Sequence, residues 1–141
     1  MKRLALLILL ASAVSFAQQA PSAPASKAKV LTRAEFDALI AKPGSVLLID
    51  VRRPTEIAQN GGFPVYLNIQ ANDLGKHLAE IPKDMPIVTV SNHANRAGIA
   101  ADLLASKGFK IVGAIGAQVY ESEGGTLIKY PPEKPAAGGE K

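Results

Sequence analysis

Three short apolar runs constrain the fold of this chain more than any other feature. They are VLLIDV (46–51), IVTV (87–90) and IVGA (111–114), and nearly every position in them is apolar. Continuous apolar runs of this length are typical of strands that are covered on both faces. Helix-forming segments lie before and between them. This alternation predicts a small three-layer α/β domain with a largely parallel central sheet flanked by helices.

Caps and spacing predict the helices. Thr32 followed by Glu35 has the capping-box pattern and predicts a helix that runs to Ile40. The apolar spacing across residues 74–81 predicts another helix, and short helices are expected near 53–59 and 119–123. Residues 113–116 are expected to form a turn. A longer helix is predicted over residues 96–107, with four apolar residues on its inner side: Ile99, Ala100, Leu103 and Leu104.

The first seventeen residues have the pattern of a secretory signal peptide. Lys2 and Arg3 precede an apolar run, and Ser15 and Ala17 form a small-x-small exit. We therefore expect cleavage after Ala17, a periplasmic or secreted protein, and no membrane attachment after cleavage. An uncleaved membrane anchor is the alternative.

The remaining boundaries follow from composition. Residues 18–29 and 131–141 are rich in Pro, Ala and other small or polar residues, and both are predicted to be flexible, as a linker and a tail. The folded domain is predicted over residues 30–130. Removing Lys2 and Arg3 lowers the formal net charge from +4 to +2, and no basic run remains, so we expect no nucleic-acid partner. The sequence predicts no particular oligomeric state.

The chain contains no cysteine. Thiol chemistry, disulfides and thiolate metal sites are therefore excluded, and the domain must be held together by its core. We predict no cofactor and no metal site, since His93 has only His77, on a separate predicted helix, as a second imidazole.

The segment IVTVSNHANRAG (87–98) carries the clearest functional pattern. A strand ends at Ser91, a short polar loop follows, and a helix begins. The free N–H groups of such a loop and of the first helical turn point towards one place and form an anion-binding cradle. A nucleophile often stands at the first position of such a loop, and here that position is a serine.

Two stretches resemble a rhodanese-like domain. LLIDVRRPTEIAQNGGFPVYLNI (47–69) is similar to the first half, in which an apolar run precedes Asp-x-Arg, a glutamate and Gly-His-Ile-Pro-Gly-Ala-x-Asn-Ile. IPKDMPIVTVSNHANRAGIAADLLASKGF (81–109) is similar to the second half, with a strand, a six-residue loop from cysteine to arginine, a helix and Gly-Phe. The likeness covers roughly residues 30–130. In the first half the matching positions are Asp50, Arg52, Glu56, Gly61, Pro64, Asn68 and Ile69.

The departures from the family pattern bear directly on function. The resemblance implies that active members carry sulfane sulfur as a persulfide on the loop cysteine, whose pKa is lowered by the loop amides and the helix N-terminus. Ser91 stands at that position, and Gly62 replaces the histidine of the Gly-His pair. Gly98, in the first turn of the helix after the loop, is expected to allow a close approach to the backbone.

The resemblance and the loop pattern together assign roles to two groups of residues, and no residue is predicted to be catalytic. Arg96 is expected to brace the loop and contact an anion, or else to pair with Glu56 or Asp50. Asp50, Arg52 and Glu56 are expected to tie adjacent loops together. The anion cradle is predicted to consist of the whole loop: Ser91, Asn92, His93, Ala94, Asn95 and Arg96.

Three functions remain in competition at this level. The first is an exported, catalytically inactive rhodanese-like domain that binds a small anion or the acidic group of a partner protein. The second is an enzyme, either related to the sulfurtransferases or a hydrolase that uses Ser91 with His93 as its base. The third is a protein-interaction domain that works through residues 61–66, where Phe63 is either exposed beside the cradle or buried under a turn.

Overall fold

The computed structural model describes residues 25–130. The predicted signal peptide and C-terminal tail lie outside the described residues. Within the expected linker, residues 25–29 are described: the Lys27 amide donates to Asp102 (2.9 Å), and the Lys29 carbonyl accepts from Ala114 (2.8 Å). None of the helices in this described part has the length and apolarity needed to cross a membrane.

The predicted α/β fold is confirmed. Four strands, β1 (Leu47–Asp50), β2 (Leu67–Asn68), β3 (Ile87–Ser91) and β4 (Ile111–Gly116), form a parallel sheet in the order β2-β1-β3-β4. Because all four are parallel, their last residues lie at one edge, which we call the carboxyl edge, and their first residues lie at the opposite, amino edge.

Strand β4 is longer than predicted, and the expected turn at 113–116 is wrong. Ala114 and Ile115 are buried and pair with Thr89 and Val90 of β3. The glycines at 113 and 116 suggested a turn, but the buried side chains between them continue the strand. Glycine inside a strand often marks a close backbone approach, and both glycines have such a neighbour.

Four α-helices surround the sheet: α1 (Arg33–Ile40), α2 (Pro54–Asn60), α3 (Asn95–Ser106) and α4 (Ala117–Ser122). The capping box of α1 is formed as predicted. The helix expected across residues 74–81 is wrong, because two 3-10 turns, Leu74–Lys76 and Leu78–Glu80, occupy this stretch. The segment is short for α-helical propagation, contains Gly75 and ends at Pro82. Its apolar residues still enter the core.

The inner side of α3 agrees with the prediction in part: Ala100 and Leu104 are buried as expected, and Leu103 is half-buried. Ile99 is 55 % exposed, whereas Ala97, Ala101 and Leu104 are buried. The small residues Ala97 and Ala101, at i and i+4, let the helix lie close to the sheet, so their side of the helix, and not the one that carries Ile99, faces inward. Gly98 also faces a neighbour closely: a methyl group there would lie 2.7 Å from the side chain of Ser26.

Two apolar clusters cover the two faces of the sheet, which gives the three layers. One joins Leu48 and Val88 to the aromatic rings of α1, α4 and the loop after α2; the other joins Ile49 and Ile87 to α3. Phe63 is 1 % exposed, and its ring centroid lies 4.7 Å from that of Phe36. The option in which Phe63 is exposed for partner binding is therefore wrong.

Candidate anion-binding site

The loop between β3 and α3 lies at the carboxyl edge, where ligands of parallel sheets gather. It turns at Ala94, whose φ of 69° makes it the one non-glycine residue among 25–130 in the left-handed region. Alanine in this conformation costs about 1–2 kcal/mol. Such local strain clusters at functional sites, where the surrounding structure maintains it.

The backbone amides of this loop are unpaired. No N–H from residue 92 to residue 96 donates a hydrogen bond to any described residue. The pairing of amides resumes at Ala97, which donates to the Ser91 hydroxyl oxygen (3.2 Å), and at Gly98, which donates to the Ala94 carbonyl (2.7 Å). Five free N–H groups at the start of a twelve-residue helix are an arrangement suited to a negative charge.

The end of β4 supports the loop from behind. A methyl group on Gly116 would lie 2.9 Å from both the Asn92 carbonyl oxygen and the Ala94 nitrogen. The Asn92 carbonyl accepts a hydrogen bond from the Gln118 amide (3.0 Å). The loop therefore rests on a backbone surface that only glycine provides.

Ser91 lies at the base of the loop and is 1 % exposed. Its hydroxyl oxygen accepts from Ala97, and its hydroxyl proton has no acceptor in residues 25–130. The His93 side chain is exposed, and no hydrogen bond joins it to Ser91. A nucleophile paired with a base, as a serine hydrolase needs, is not assembled among these residues.

A continuous network of side chains braces the loop. Arg52 donates to both oxygens of Asp50, from Nε to Oδ1 (2.9 Å) and from Nη2 to Oδ2 (2.7 Å), and both side chains are buried. Arg96 donates to both oxygens of Glu56 at 3.0 and 2.6 Å. Asn92 joins the two pairs, because its Oδ1 accepts from Arg52 and its Nδ2 donates to Glu56, each at 3.1 Å.

Glu56 and Arg96 both remain charged over a wide pH range. The hydrogen bonds from Arg96 lower the pKa of Glu56 to about 2, against the opposing effect of burial. The Glu56 carboxylate in turn raises the pKa of Arg96. Because Glu56 offsets its charge, Arg96 acts here mainly as a brace.

The structure thus separates the predicted cradle residues. The backbone amides of residues 92–96 are unpaired, the side chains of Asn92 and Arg96 bond within the network, and those of His93 and Asn95 are exposed. No group of three or more His, Cys, Asp or Glu side chains within residues 25–130 is placed to hold a metal ion.

Two residues of the site were missed at the level of sequence. The Asn68 side chain donates to the carbonyls of Asp50 and Arg52 (2.8 and 2.9 Å) and fixes the end of β1. Its match to the family pattern was the available signal. Gly116 was assigned to a turn, and no sequence signal connects it to a loop more than twenty residues earlier.

Comparisons with known proteins agree with this architecture. The family model of the rhodanese-like domain matches residues 32–126. A rhodanese-related protein from Thermoplasma volcanium superposes with a TM-score of 0.65 at 23% identity, covering 72% of this chain and 99% of that one. The polysulfide-sulfur transferase homodimer from Wolinella succinogenes gives 0.59 at 24% identity, covering 74% of this chain and 80% of the other.

One further solved structure has higher sequence identity. The reduced CoADR-RHD of Bacillus anthracis is 30% identical with a TM-score of 0.60, over 67% of this chain and 17% of that chain. A comparison with curated proteins gives no match.

Proposed function

The chain belongs to the rhodanese-like domain family, a sulfurtransferase-related fold, and on that premise we propose that it is an exported, catalytically inactive member that binds a small anion or the acidic group of a partner protein. The observation that carries this proposal is the combination of five unpaired loop amides with a serine at the base of the loop.

The replacement of sulfur by oxygen argues against group transfer. A cysteine in this position would be a thiolate, since loop amides and a helix N-terminus lower its pKa. The Ser91 hydroxyl is far less acidic, and its oxygen cannot store a transferable sulfane sulfur. What such a loop retains is its capacity to hold an anion, to which the Ser91 hydroxyl proton adds a sixth donor.

The charges around the loop favour a small oxyanion. Asp50 and Arg52 neutralise each other, whereas Glu56 is shared by Arg96 and the exposed Arg53. Attraction for an anion inside the loop comes mainly from oriented backbone dipoles and the N-terminus of α3, which act over about one helical turn. A ligand must enter the loop to benefit, which favours sulfate-sized ions or a single carboxylate or phosphate group.

Thermal unfolding in the presence of sulfate, thiosulfate, sulfite and phosphate tests this function. At a hundred times Kd, a binding anion should stabilise the chain by about 2.7 kcal/mol. Ser91→Ala removes one donor and should weaken binding about tenfold, corresponding to one hydrogen bond of about 1–1.5 kcal/mol. Ser106→Ala, on the last residue of the same helix, should leave anion affinity unchanged. If none of these anions raises Tm, the cradle has no ligand of this class.

Activity assays separate this proposal from the enzymatic alternative. We expect no transfer of sulfur from thiosulfate to cyanide and no hydrolysis of ester or phosphoester substrates. Ser91→Cys should restore weak sulfur transfer, because the loop geometry is retained. A steady turnover by the native chain that Ser91→Ala abolishes would show that it is an enzyme.

A further inference from the structure

A cavity of about 440 Å³ opens at the amino edge of the sheet, opposite the anion cradle. Three stretches of chain line it: residues 40–48 from the end of α1 to the start of β1, residues 63–66 between α2 and β2, and Met85 before β3. These stretches lie before or at the first residues of parallel strands, which places the cavity at the opposite end of the sheet from the loop at Ser91.

The cavity has a floor of buried side chains and apolar walls. Leu48 and Phe63 form the floor and are almost fully buried. The ring of Phe63 packs against Phe36 at 4.7 Å and against Tyr120 at 5.3 Å between centroids. The walls consist of apolar and aromatic side chains that remain partly exposed to solvent: Ile40, Val46, Leu47, Tyr66 and Met85.

One side of the rim is preformed by a hydrogen-bonded turn. The Lys42 amide donates to the Leu39 carbonyl (3.3 Å), and the Ser45 hydroxyl donates to the same carbonyl (2.8 Å). Val65 forms the other side and is 80 % exposed, the largest exposed fraction among the large apolar side chains described. An apolar side chain held in water beside an open apolar cavity contributes little to stability.

The only charged residue that lines this cavity is a lysine. Lys42 stands on the rim, it takes part in no ion pair with residues 25–130, and no Asp or Glu lines the cavity. The combination is therefore an apolar pocket with a single positive charge at its mouth. Its volume lies within the range of about 300–1,000 Å³ that is typical of small-molecule sites.

We propose that this cavity binds a single-chain amphiphile, whose alkyl chain fills the apolar interior and whose anionic headgroup pairs with Lys42. Burial of the chain supplies the affinity in proportion to the apolar area removed from water. The lysine selects an anionic headgroup over a neutral one. The site does not depend on the cradle, since no residue is shared between them.

Calorimetric titration of the full chain with straight-chain carboxylates, from hexanoate to dodecanoate and below their micelle concentrations, tests the proposal. Each added methylene should tighten binding about fourfold until the cavity is full. The alkanol of equal length should bind about two- to fivefold more weakly, as expected for an exposed ion pair. Lys42→Ala should reduce the affinity for the carboxylate to that for the alkanol, whereas Lys107→Ala should not.

A second pair of variants locates the binding. Val65→Glu places a carboxylate at the mouth and should weaken carboxylate binding at least tenfold. Ile99→Glu makes the same change at an exposed apolar residue of α3 outside the cavity and should have no effect. Affinity that is independent of chain length, or that survives Val65→Glu, overturns the proposal. So does sedimentation that shows a dimer broken by Val65→Glu without any carboxylate binding, because the face is then an interface between copies.

Discussion

At the carboxyl edge of the sheet, charged and amide side chains form hydrogen bonds with one another, while the backbone amides of residues 92–96 are unpaired. The amino edge is the reverse. There the backbone turn is hydrogen-bonded, and apolar side chains surround an open cavity. The two edges are therefore held by different forces. Directional bonds between specific partners fix the first, and non-directional packing of apolar side chains fixes the second.

This difference predicts different responses to substitution. A buried ion pair that loses one partner leaves an uncompensated charge, which the low-dielectric interior penalises strongly. A partly exposed apolar side chain that is shortened loses only a fraction of its transfer free energy. Single substitutions should thus be costly at the carboxyl edge and mild at the amino edge.

The largest effect is expected for Arg52→Ala. This change strands the buried Asp50 carboxylate and removes the donor to Asn92, so the free energy of unfolding should fall by about 3–5 kcal/mol. Chemical denaturation measures it. Arg53→Ala removes only a solvent-exposed contact with Glu56 (3.2 Å, at a side chain that is 70% exposed), so it should change stability by less than about 0.5 kcal/mol.

Val65→Ala at the amino edge completes this comparison. Val65 is 80 % exposed, so its replacement should also change the free energy of unfolding by no more than about 0.5 kcal/mol. If Arg52→Ala proves as mild as Val65→Ala, the buried network does not hold the carboxyl edge, and the contrast between the edges fails.

A smaller effect is expected at Gly116. A methyl group there meets backbone atoms of residues 92 and 94 at 2.9 Å, and backbone cannot rotate away, so Gly116→Ala should cost about 1–3 kcal/mol. It should also abolish the stabilisation by anions, because the loop must move. Both effects are read from thermal unfolding with and without sulfate.

Gly44 provides the matched position at the amino edge. A methyl group on Gly44 meets no atom within 4 Å, and only its φ of 76° opposes substitution. Gly44→Ala should therefore cost about 1 kcal/mol and leave anion binding intact. Equal losses of anion binding in both variants would mean that Gly116 does not support the loop specifically.

The contrast between the edges also explains how far the sequence could be interpreted. The sheet was predictable because continuous apolar runs have few alternatives to buried strands, and the place of the loop followed from a strand that leads into a helix. The capping box of α1 is a local signal and was equally accessible.

Long-range geometry was not accessible in the same way. The role of Asn92 depends on Arg52 and Glu56, about forty positions away along the chain, and no local pattern encodes which loop approaches which. The assignment of Ile99 to the inner side of α3 failed for a related reason. Hydrophobicity alone favoured Ile99, whereas close packing on the sheet selected Ala97 and Ala101.

Of the changes in stability expected at Arg52, Gly116 and Glu56, the one at Glu56 is the smallest, and its dependence on pH makes it measurable. The pKa of Glu56 in the folded chain is about 2, lowered from 4.5 by Arg96. A depressed carboxyl pKa contributes stability that is complete above pH 4.5 and is lost as the pH falls towards 2. Glu56→Gln removes the charge, so it should destabilise the chain by about 1–2 kcal/mol at pH 7, between the values for an exposed ion pair and a buried charged hydrogen bond.

The difference between the native chain and Glu56→Gln should therefore shrink as the pH falls from 4.5 to 2 and disappear only below pH 2, measured by urea denaturation at each pH. Glu35 also has a depressed pKa of about 2, so the native curve alone cannot identify Glu56, whereas the difference between the two proteins can. Glu123→Gln, at an exposed side chain that forms no ion pair with residues 25–130, should give a difference near zero at every pH. A Glu56→Gln difference that is constant with pH would mean that the Glu56 side chain braces the carboxyl edge by its shape and not by its charge. The distinction between directional and packing forces would then not extend to the pair of Glu56 and Arg96.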